Sequence, residues 1–208
     1  MNFLAHTLLG FNDKQLIAGQ ICGDFVRGRD LSAFPDRVAT GIRLHRHLDA
    51  FADRHPALGE QRRSISHVPL RLSGILLDVL FDHHLAINWQ TLSDMTLENH
   101  ALQVHLALRE NEKVMPDAVR RFADVLQTND ILQNNRYLSA IEQTLSKLSR
   151  RSAAFAPLAL SKGEVEPLRQ QLAPSFDGFY PQLRQAAWHY IEQYDKQHIQ
   201  QHDKREDS

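Results

Sequence analysis

Residues 72–85 read LSGILLDVLFDHHL, and this stretch decides the fold class. Apolar residues surround Asp78 and Asp82 on almost every side, and a helix that is apolar all round is usually buried. The two carboxylates also share one stripe of that helix. Because an unpaired buried carboxylate is costly, such groups are paired with a cation or bound to metal. The stretch therefore predicts either neutralising Arg or Lys side chains or, with the adjacent His83, a hard-metal site.

The same helical periodicity extends over nearly the whole chain. Runs of alternating β-branched residues are absent, and Leu, Ala, Gln, Arg and Asp dominate. We therefore expect an all-α fold, a single-domain helical bundle. The predicted helices cover residues 2–9, 14–26, 35–54, 57–64, 69–89, 96–114, 116–126, 130–148, 162–172 and 176–197.

Length and composition limit the classes of protein to consider. A chain of 208 residues suits one large domain, predicted here at residues 1–197, with a polar, frayed tail at 198–208. The formal net charge of -1 gives no reason to expect nucleic acid as a partner. A single cysteine, Cys22, fits a reducing compartment. No apolar stretch reaches the roughly 18 residues of a membrane span. We expect a cytoplasmic protein with no signal peptide and no membrane partner; the sequence indicates no oligomeric state.

A second candidate segment lies in the predicted helix at residues 35–54. His45 and Asp49 are four residues apart and so share one helix face. Ile42 joins that face, which tilts it toward the interior. The spacing fits a metal site, but it also fits a solvated helix with a local His–Asp pair.

Two further polar residues stand on apolar segments. Asp24 sits among small and apolar residues near a predicted helix end, where it is either a ligand or a structural hydrogen-bond acceptor. His6 interrupts an apolar first helix and is either a ligand or a core histidine with a hydrogen-bond partner. Groups of this kind on four separate helices can converge on one centre in a bundle. A mixed His/Asp set suits Mn²⁺, Mg²⁺ or Fe²⁺ better than a closed zinc site.

The segment from Arg27 to Arg71 is locally basic, with nine arginines against five acidic residues. Arginine rather than lysine favours forked contacts to phosphate or carboxylate. The segment is therefore either a docking face for an acidic partner, with Arg62 and Arg63 as its probes, or a solvated surface.

Taken together, the motifs resemble those of the acyl carrier protein phosphodiesterases. The resemblance covers most of the chain in the same order. The motifs that carry it are NFLAH at residues 2–6, GDFVRG at 23–28, Gly41-Ile42 followed by His45-Arg46 and Asp49, Leu77-Asp78-Val79, Asp82-His83, Trp89 and FDGFYP at 176–181.

That family looks like a divergent branch of the helical, metal-dependent HD phosphohydrolases, so the resemblance implies an HD-phosphohydrolase-like bundle. It implies hydrolysis of the phosphodiester that joins phosphopantetheine to a serine of holo-acyl carrier protein, an acidic protein substrate. The adjacent His-Asp pair of HD enzymes is absent here, because Asp82-His83 has the reverse order. Two alternatives stay open at this point: an HD-type phosphohydrolase acting on a nucleotide, and a non-enzymatic helical interaction protein.

Within this interpretation each candidate residue receives a role. Mn²⁺ is the favoured metal, with Mg²⁺ or Fe²⁺ as alternatives. His83 is a ligand or a proton donor to the leaving oxygen, and the Arg27 and Arg46 guanidinium groups hold the phosphate. The predicted metal ligands are Asp24, His45, Asp78 and Asp82, followed by His6 and Asp49.

Overall fold

The computed structural model describes residues 3–66, 68–161 and 163–206, with side chains described as far as Lys196. Every regular element in these ranges is a helix, which confirms the all-α prediction. Two 3-10 helices, Glu112–Val114 and Ala153–Leu158, join the others. The α-helices are α1 Phe3–Leu8, α2 Lys14–Cys22, α3 Asp36–Arg54, α4 Pro56–Ser64, α5 Leu70–Ile87, α6 Trp89–Leu92, α7 Leu97–Glu110, α8 Asp117–Thr128, α9 Ile131–Asn134, α10 Leu138–Ser149 and α11 Val165–Glu206.

Helix α5 runs through the core, as its apolar sequence predicted. Its buried side chains include Leu76 and Leu80 but also Asp82 and His83. Helices α1, α4, α10 and α11 all contact it. Polar groups on α5 are therefore held in an interior where only hydrogen bonds, opposite charges or metal ions can stabilise them.

Helices α2 and α3 pack against each other at a pair of glycines. A Cβ atom on Gly19 would lie 2.2 Å from the Val38 carbonyl oxygen, and one on Gly41 would lie 2.5 Å from the Leu16 carbonyl oxygen. These are backbone atoms, so a larger residue would force the helices apart. The close approach brings α3, which carries His45 and Asp49, against α2.

Helix α2 begins at a well-formed cap but ends earlier than predicted. The Asp13 carboxylate accepts hydrogen bonds from the Gln15 and Leu16 amides, which satisfies two of the free N–H groups of the first turn. The helix ends at Cys22 rather than Val26, and a turn follows in which the Phe25 amide donates to the Cys22 carbonyl. Asp24 therefore lies on a loop.

Other predicted helices are shorter than the sequence suggested. The predicted helix at 69–89 divides into α5 and α6, and the one at 96–114 ends at Glu110 before a 3-10 turn. The predicted helix at 130–148 divides into α9 and α10, with Asn135 to Tyr137 between them. The predicted starts at Asn2 and Lys162 lie outside the described residues; α1 and α11 begin at Phe3 and Val165.

The prediction of two separate C-terminal helices was wrong, because α11 is continuous through Pro174 and Pro181. A proline inside a helix costs about 3 kcal/mol. Leu172, Phe176 and Phe179 on this helix are all fully buried, and each buried side chain of this size contributes about 1.5–3 kcal/mol. Packing on both sides of Pro174 thus outweighs the cost.

The polar tail predicted from residue 198 overlaps the end of α11, whose backbone is helical to Glu206. Residues 207 and 208 lie outside the described part of the chain. The domain boundary at residue 197 and the HD-phosphohydrolase-like subtype remain predictions. Within the described ranges, no helix combines the length and apolar character that crossing a membrane requires.

Candidate metal centre

Three of the predicted ligands meet at one point between α1 and α3. His6 Nε2 lies 3.2 Å from Asp49 Oδ1, and His45 Nε2 lies 3.1 Å from Asp49 Oδ2. The two imidazole rings stack, with centroids 3.9 Å apart. One ligand atom from each of the three residues lies within 4.8 Å of the others. This cluster of His6, His45 and Asp49 is the candidate metal centre.

Gln20 fixes the orientation of His6. It is a residue of the site that was not predicted from the sequence. The Gln20 side chain is fully buried on α2, and its Oε1 atom lies 2.9 Å from His6 Nδ1. Because an amide oxygen only accepts, His6 Nδ1 carries the proton of this hydrogen bond. The signal in the sequence was a single glutamine among apolar residues, LIAGQIC at 16–22. A buried amide of this kind needs partners.

When His6 Nδ1 carries the proton, the lone pair on His6 Nε2 faces the Asp49 carboxylate. Burial, and then the nearby His45, lower the pKa of His6 to about 4, so its ring is neutral at neutral pH. A neutral ring protonated on Nδ1 offers a lone pair on Nε2, and Asp49 Oδ1 is also an acceptor. In this tautomer the lone pair and the carboxylate, 3.2 Å apart, can share a cation; in the other tautomer His6 Nε2 donates a hydrogen bond to Asp49 Oδ1. Two ring nitrogens and a carboxylate at one point are a donor set that fits a divalent metal ion.

His45 is held between two carboxylates and a glycine. Burial opposes its charge, but hydrogen bonds to Asp24 and Asp49 outweigh this and raise the pKa of His45 to about 9. The same contacts from His45 and His6 lower the pKa of Asp49 despite its burial. A Cβ atom on Gly23 would lie 2.2 Å from the His45 ring. Gly23 thus leaves the space that the ring occupies.

Asp24 reaches the same centre from the loop after α2. Its Oδ1 atom lies 3.5 Å from His45 Nε2, and 43% of its side chain is exposed. A partly exposed carboxylate beside the cluster is well placed as a further oxygen ligand. The structure therefore places Asp24 beside His45 at the edge of the cluster.

Asp78 and Asp49 line the same cavity of about 360 Å³. Burial raises the pKa of Asp78, and the nearby Asp49 charge acts in the same direction. The shared cavity places Asp78 on the side of the cluster where Asp49 lies, and its role as a metal ligand stays a prediction.

Asp82 binds the backbone of α1, and its role as a metal ligand stays a prediction. Its two carboxylate oxygens accept hydrogen bonds from the Leu4 and Ala5 amides at 2.8 and 2.9 Å. The carboxylate is completely buried, and burial raises its pKa to about 7 against the effect of these bonds. Its described contacts fix the start of α1, the helix that carries His6. Asp82 therefore supports the centre through α1.

His83 is not part of the cluster of His6, His45 and Asp49, and its role as a ligand or proton donor stays a prediction. His83 Nδ1 lies 2.6 Å from the Asn135 carbonyl oxygen, and burial lowers the pKa of the ring. On α5 it lies one residue beyond Asp82 and so points to another side of the helix. Its described contact joins α5 to the turn before α10.

The predicted phosphate-holding arginines lie on the loop after α2 and beside it. Arg46 Nη2 donates to the Val26 carbonyl oxygen at 2.8 Å, which ties this loop to α3. Arg27 is exposed on the same loop. The structure separates the two docking probes, because Arg62 lines the cavity beside Asp78 whereas Arg63 is exposed.

Fold and site together define an all-helical protein with a candidate metal centre of histidine and aspartate residues. A family model described as acyl carrier protein phosphodiesterase matches residues 1–183. The chain therefore belongs to the acyl carrier protein phosphodiesterase family. Membership of this family implies a phosphodiester hydrolase, which removes the alternative of a non-enzymatic interaction protein.

Relatives with the same description cover almost the whole chain. Acyl carrier protein phosphodiesterase of Pectobacterium atrosepticum is 31% identical over 188 residues, which is 90% of this chain and 97% of that protein. Those of Salmonella dublin and Salmonella agona are 30% identical over 191 residues, again 90% of this chain and 97% of theirs. No solved structure gives a significant match to the chain.

Proposed function

We propose that the protein hydrolyses the phosphodiester that joins phosphopantetheine to a serine of holo-acyl carrier protein. The products are apo-acyl carrier protein and free phosphopantetheine. The observation that carries the proposal is the meeting of His6, His45 and Asp49 within 4.8 Å of one another in a chain of this family. Two imidazole rings and a carboxylate at one point form a site for a divalent cation.

In this proposal His6, His45 and Asp49 hold the metal, and Asp24 and Asp78 complete its ligands. The mixed nitrogen and oxygen set favours Mn²⁺, with Mg²⁺ and Fe²⁺ as the alternatives. A divalent ion bound there supplies charge stabilisation for the phosphate oxygens and activation of the attacking water. In this proposal the helices and the loop after α2 hold these metal-binding side chains in place before substrate binds.

The bond changes in the proposed reaction are those of an ester hydrolysis at phosphorus. A water oxygen forms a bond to phosphorus while the bond between phosphorus and the serine oxygen breaks. The serine oxygen takes up a proton, and the phosphate leaves with the pantetheine arm. Asp24, partly exposed beside His45, is placed to accept a proton from the attacking water when it is not acting as a ligand.

The remaining residues position the ligands or the substrate. Gln20 orients His6, and Asp82 fixes α1. Arg46 holds the loop that carries Asp24 through the Val26 carbonyl. Exposed Arg27 on that loop is proposed to contact the substrate phosphate, since a guanidinium group binds phosphate oxygens in forked geometry. A cytoplasmic location and the lack of a nucleic-acid partner remain predictions of the sequence.

The proposed function is tested by measuring the mass of the carrier protein before and after incubation. Holo-acyl carrier protein is incubated with the protein and Mn²⁺, and intact-mass spectrometry follows the carrier protein. We expect loss of the phosphopantetheine mass and appearance of free phosphopantetheine. Nucleoside monophosphates and cyclic nucleotides are assayed in parallel. Cleavage of a nucleotide with an unchanged carrier protein would favour the HD-type nucleotide hydrolase instead.

A further inference from the structure

We infer that the cavity beside the metal centre receives the pantetheine arm of the substrate. The inference rests on the proposed function and adds to it the place where the arm binds. The cavity, here called the arm cavity, has a volume of about 360 Å³ and lies among α3, α4, α5 and α11. That volume falls within the range of about 300–1,000 Å³ found for small-molecule sites.

The position of the arm cavity links it to the reacting phosphate. Asp49, a ligand of the candidate metal centre, lines its wall together with Asp78. A substrate whose phosphate lies at the metal therefore has the cavity directly beside it. The phosphate joins the serine of the carrier protein to the pantetheine arm. The arm is therefore the group that can enter a cavity beside the phosphate.

One wall of the arm cavity is aromatic. Phe81 on α5 packs against Phe176 and Phe179 on α11, with ring centroids 5.0 and 5.5 Å apart, and all three line the cavity. The pantetheine arm carries a gem-dimethyl group close to its phosphate. Apolar walls with a few placed polar groups are typical of sites for such ligands.

Polar groups line the arm cavity on the α4 side. Arg62 Nη2 donates to Asp53 Oδ1 at 2.8 Å. Within the described part of the chain, Arg62 Nε is buried and has no hydrogen-bond partner. A buried donor without an acceptor is unfavourable. The amide carbonyl groups of the pantetheine arm supply such an acceptor. Arg71 and the carboxylates of Asp49, Asp53 and Asp78 also line the cavity, so the aromatic wall faces a polar one.

Two glycines offer a matched pair of substitutions. Gly74 on α5 lines the arm cavity, and a Cβ atom there would meet only Arg62 Nε, at 3.8 Å. Gly59 on α4 does not line the cavity, and a Cβ atom there would meet only Arg63 Nη1, at 3.6 Å. Gly74→Leu therefore fills the cavity, while Gly59→Leu adds the same side chain to a half-buried helix position outside it.

The experiment measures KM for holo-acyl carrier protein and the inhibition constant of free 4′-phosphopantetheine. Because a misfit of one methylene in an apolar pocket already costs about tenfold or more, Gly74→Leu should raise both values by at least about tenfold. Gly59→Leu should leave the inhibition constant of 4′-phosphopantetheine near the wild-type value. That constant is the control readout, because a Cβ atom on Gly59 meets Arg63, whose charge is proposed to act on KM for the carrier protein. If Gly74→Leu does not fold, Leu70→Trp at the cavity, where Leu70 is 62% exposed, replaces it with the same expectation.

The outcomes separate this inference from the proposed function. A wild-type protein that leaves holo-acyl carrier protein intact overturns the proposed function. A wild-type protein that cleaves it, with a folded cavity variant whose two constants are unchanged, overturns the arm cavity alone. Inhibition by adenosine monophosphate that responds to Gly74→Leu, with none by 4′-phosphopantetheine, would assign the cavity to a nucleotide and also overturn the inference.

Discussion

His6 has a different neighbour at each ring nitrogen. Nδ1 binds Gln20 at 2.9 Å, and Nε2 faces Asp49 at 3.2 Å. A metal-bound histidine commonly donates its other N–H to an oxygen of this kind, which fixes the tautomer and the orientation of the ring. Gln20 is thus a positioning residue, whose effect on the metal passes through His6.

The first prediction concerns this contact. Gln20→Leu keeps the apolar volume but removes the acceptor, so His6 loses its fixed tautomer. We expect metal affinity to fall about 10–100-fold, the range typical of such supporting contacts, as measured by Mn²⁺ titration. Gln20→Glu retains an acceptor oxygen and should bind metal more tightly than Gln20→Leu. Equal affinities in the two variants would show that Gln20 only fills space.

Sequence reasoning found His6, His45 and Asp49 because each stands out as a polar group on an apolar helix face. The contact that His83 makes could not be predicted from the sequence, for a physical reason. Neighbouring residues on a helix point about 100° apart, so Asp82 and His83 cannot share a direction, and the sequence does not say which neighbour each one meets. The Asn135 carbonyl that His83 contacts comes from 52 residues away.

At the scale of elements, α1 depends on α5. Only six residues long, α1 is too short to be stable by itself. The Asp82 carboxylate accepts two of its first backbone N–H groups, which have no partner within the helix. Helix α5 thereby holds His6 in place through a contact that does not touch His6.

The second prediction compares two carboxylates of α5. Asp82→Ala should lower the free energy of unfolding by about 2–6 kcal/mol, because each buried N–H left without an acceptor costs about 1–3 kcal/mol. Burial raises the pKa of both carboxyl groups, so buried charge opposes folding at each. The two α1 amides that Asp82 binds make the difference, and Asp78→Ala should cost less stability. Urea unfolding gives the stabilities, and the holo-acyl carrier protein assay gives turnover.

Asp78→Ala should lose most turnover while it remains folded, whereas Asp82→Ala should lose stability first. The assignment of Asp82 to α1 would be wrong if Asp82→Ala unfolded at the wild-type urea concentration. Near-normal turnover in Asp78→Ala would remove Asp78 from the metal site.

Helix types were predictable from the sequence, but several helix ends were not. The apolar pattern of α5 is a local signal, and the buried helix that it predicted agrees with the structure. Pro174 is a local signal for a break, yet α11 continues because Leu172 and Phe176 pack on the core. Contacts between segments far apart in the chain keep α11 continuous at Pro174, and a single sequence does not reveal such contacts.

At the scale of the whole molecule, the bundle brings together α1 and α3, which carry His6, His45 and Asp49. The loop after α2 places Asp24 beside His45, and α5 places Asp78 on the cavity that Asp49 also lines. The arm cavity opens beside these residues. Arg62 of α4 lines the cavity, and the next residue in the chain, Arg63, is exposed. Under the proposed function, the carrier protein, which the resemblance implies is acidic, approaches this side so that its prosthetic group reaches the centre.

The third prediction tests that approach. Arg63→Glu should raise KM for holo-acyl carrier protein about two- to fivefold, the effect of an exposed charge contact, with kcat nearly unchanged because charge steers the encounter. Added salt should raise the wild-type KM and narrow the difference in KM between the wild type and Arg63→Glu, since exposed charges are screened within about 8 Å at physiological ionic strength. Steady-state kinetics at several salt concentrations measure both effects.

Arg151→Glu is the control for this experiment. Arg151 is exposed and lies outside the basic segment, so its reversal should leave KM unchanged. Arg62 is unsuitable as a docking probe because it lines the arm cavity. A KM that responds neither to salt nor to Arg63→Glu would make the basic segment a solvated surface.

The most direct test of the central claim is metal dependence of the cleavage itself. The protein is stripped with a chelator, freed of it, and assayed on holo-acyl carrier protein by intact-mass spectrometry before and after Mn²⁺ is added back. The cluster of His6, His45 and Asp49 predicts that the stripped protein leaves the carrier protein intact and that Mn²⁺ restores the loss of phosphopantetheine. Full conversion to apo-acyl carrier protein by the stripped protein, with no metal found by elemental analysis, would contradict the account.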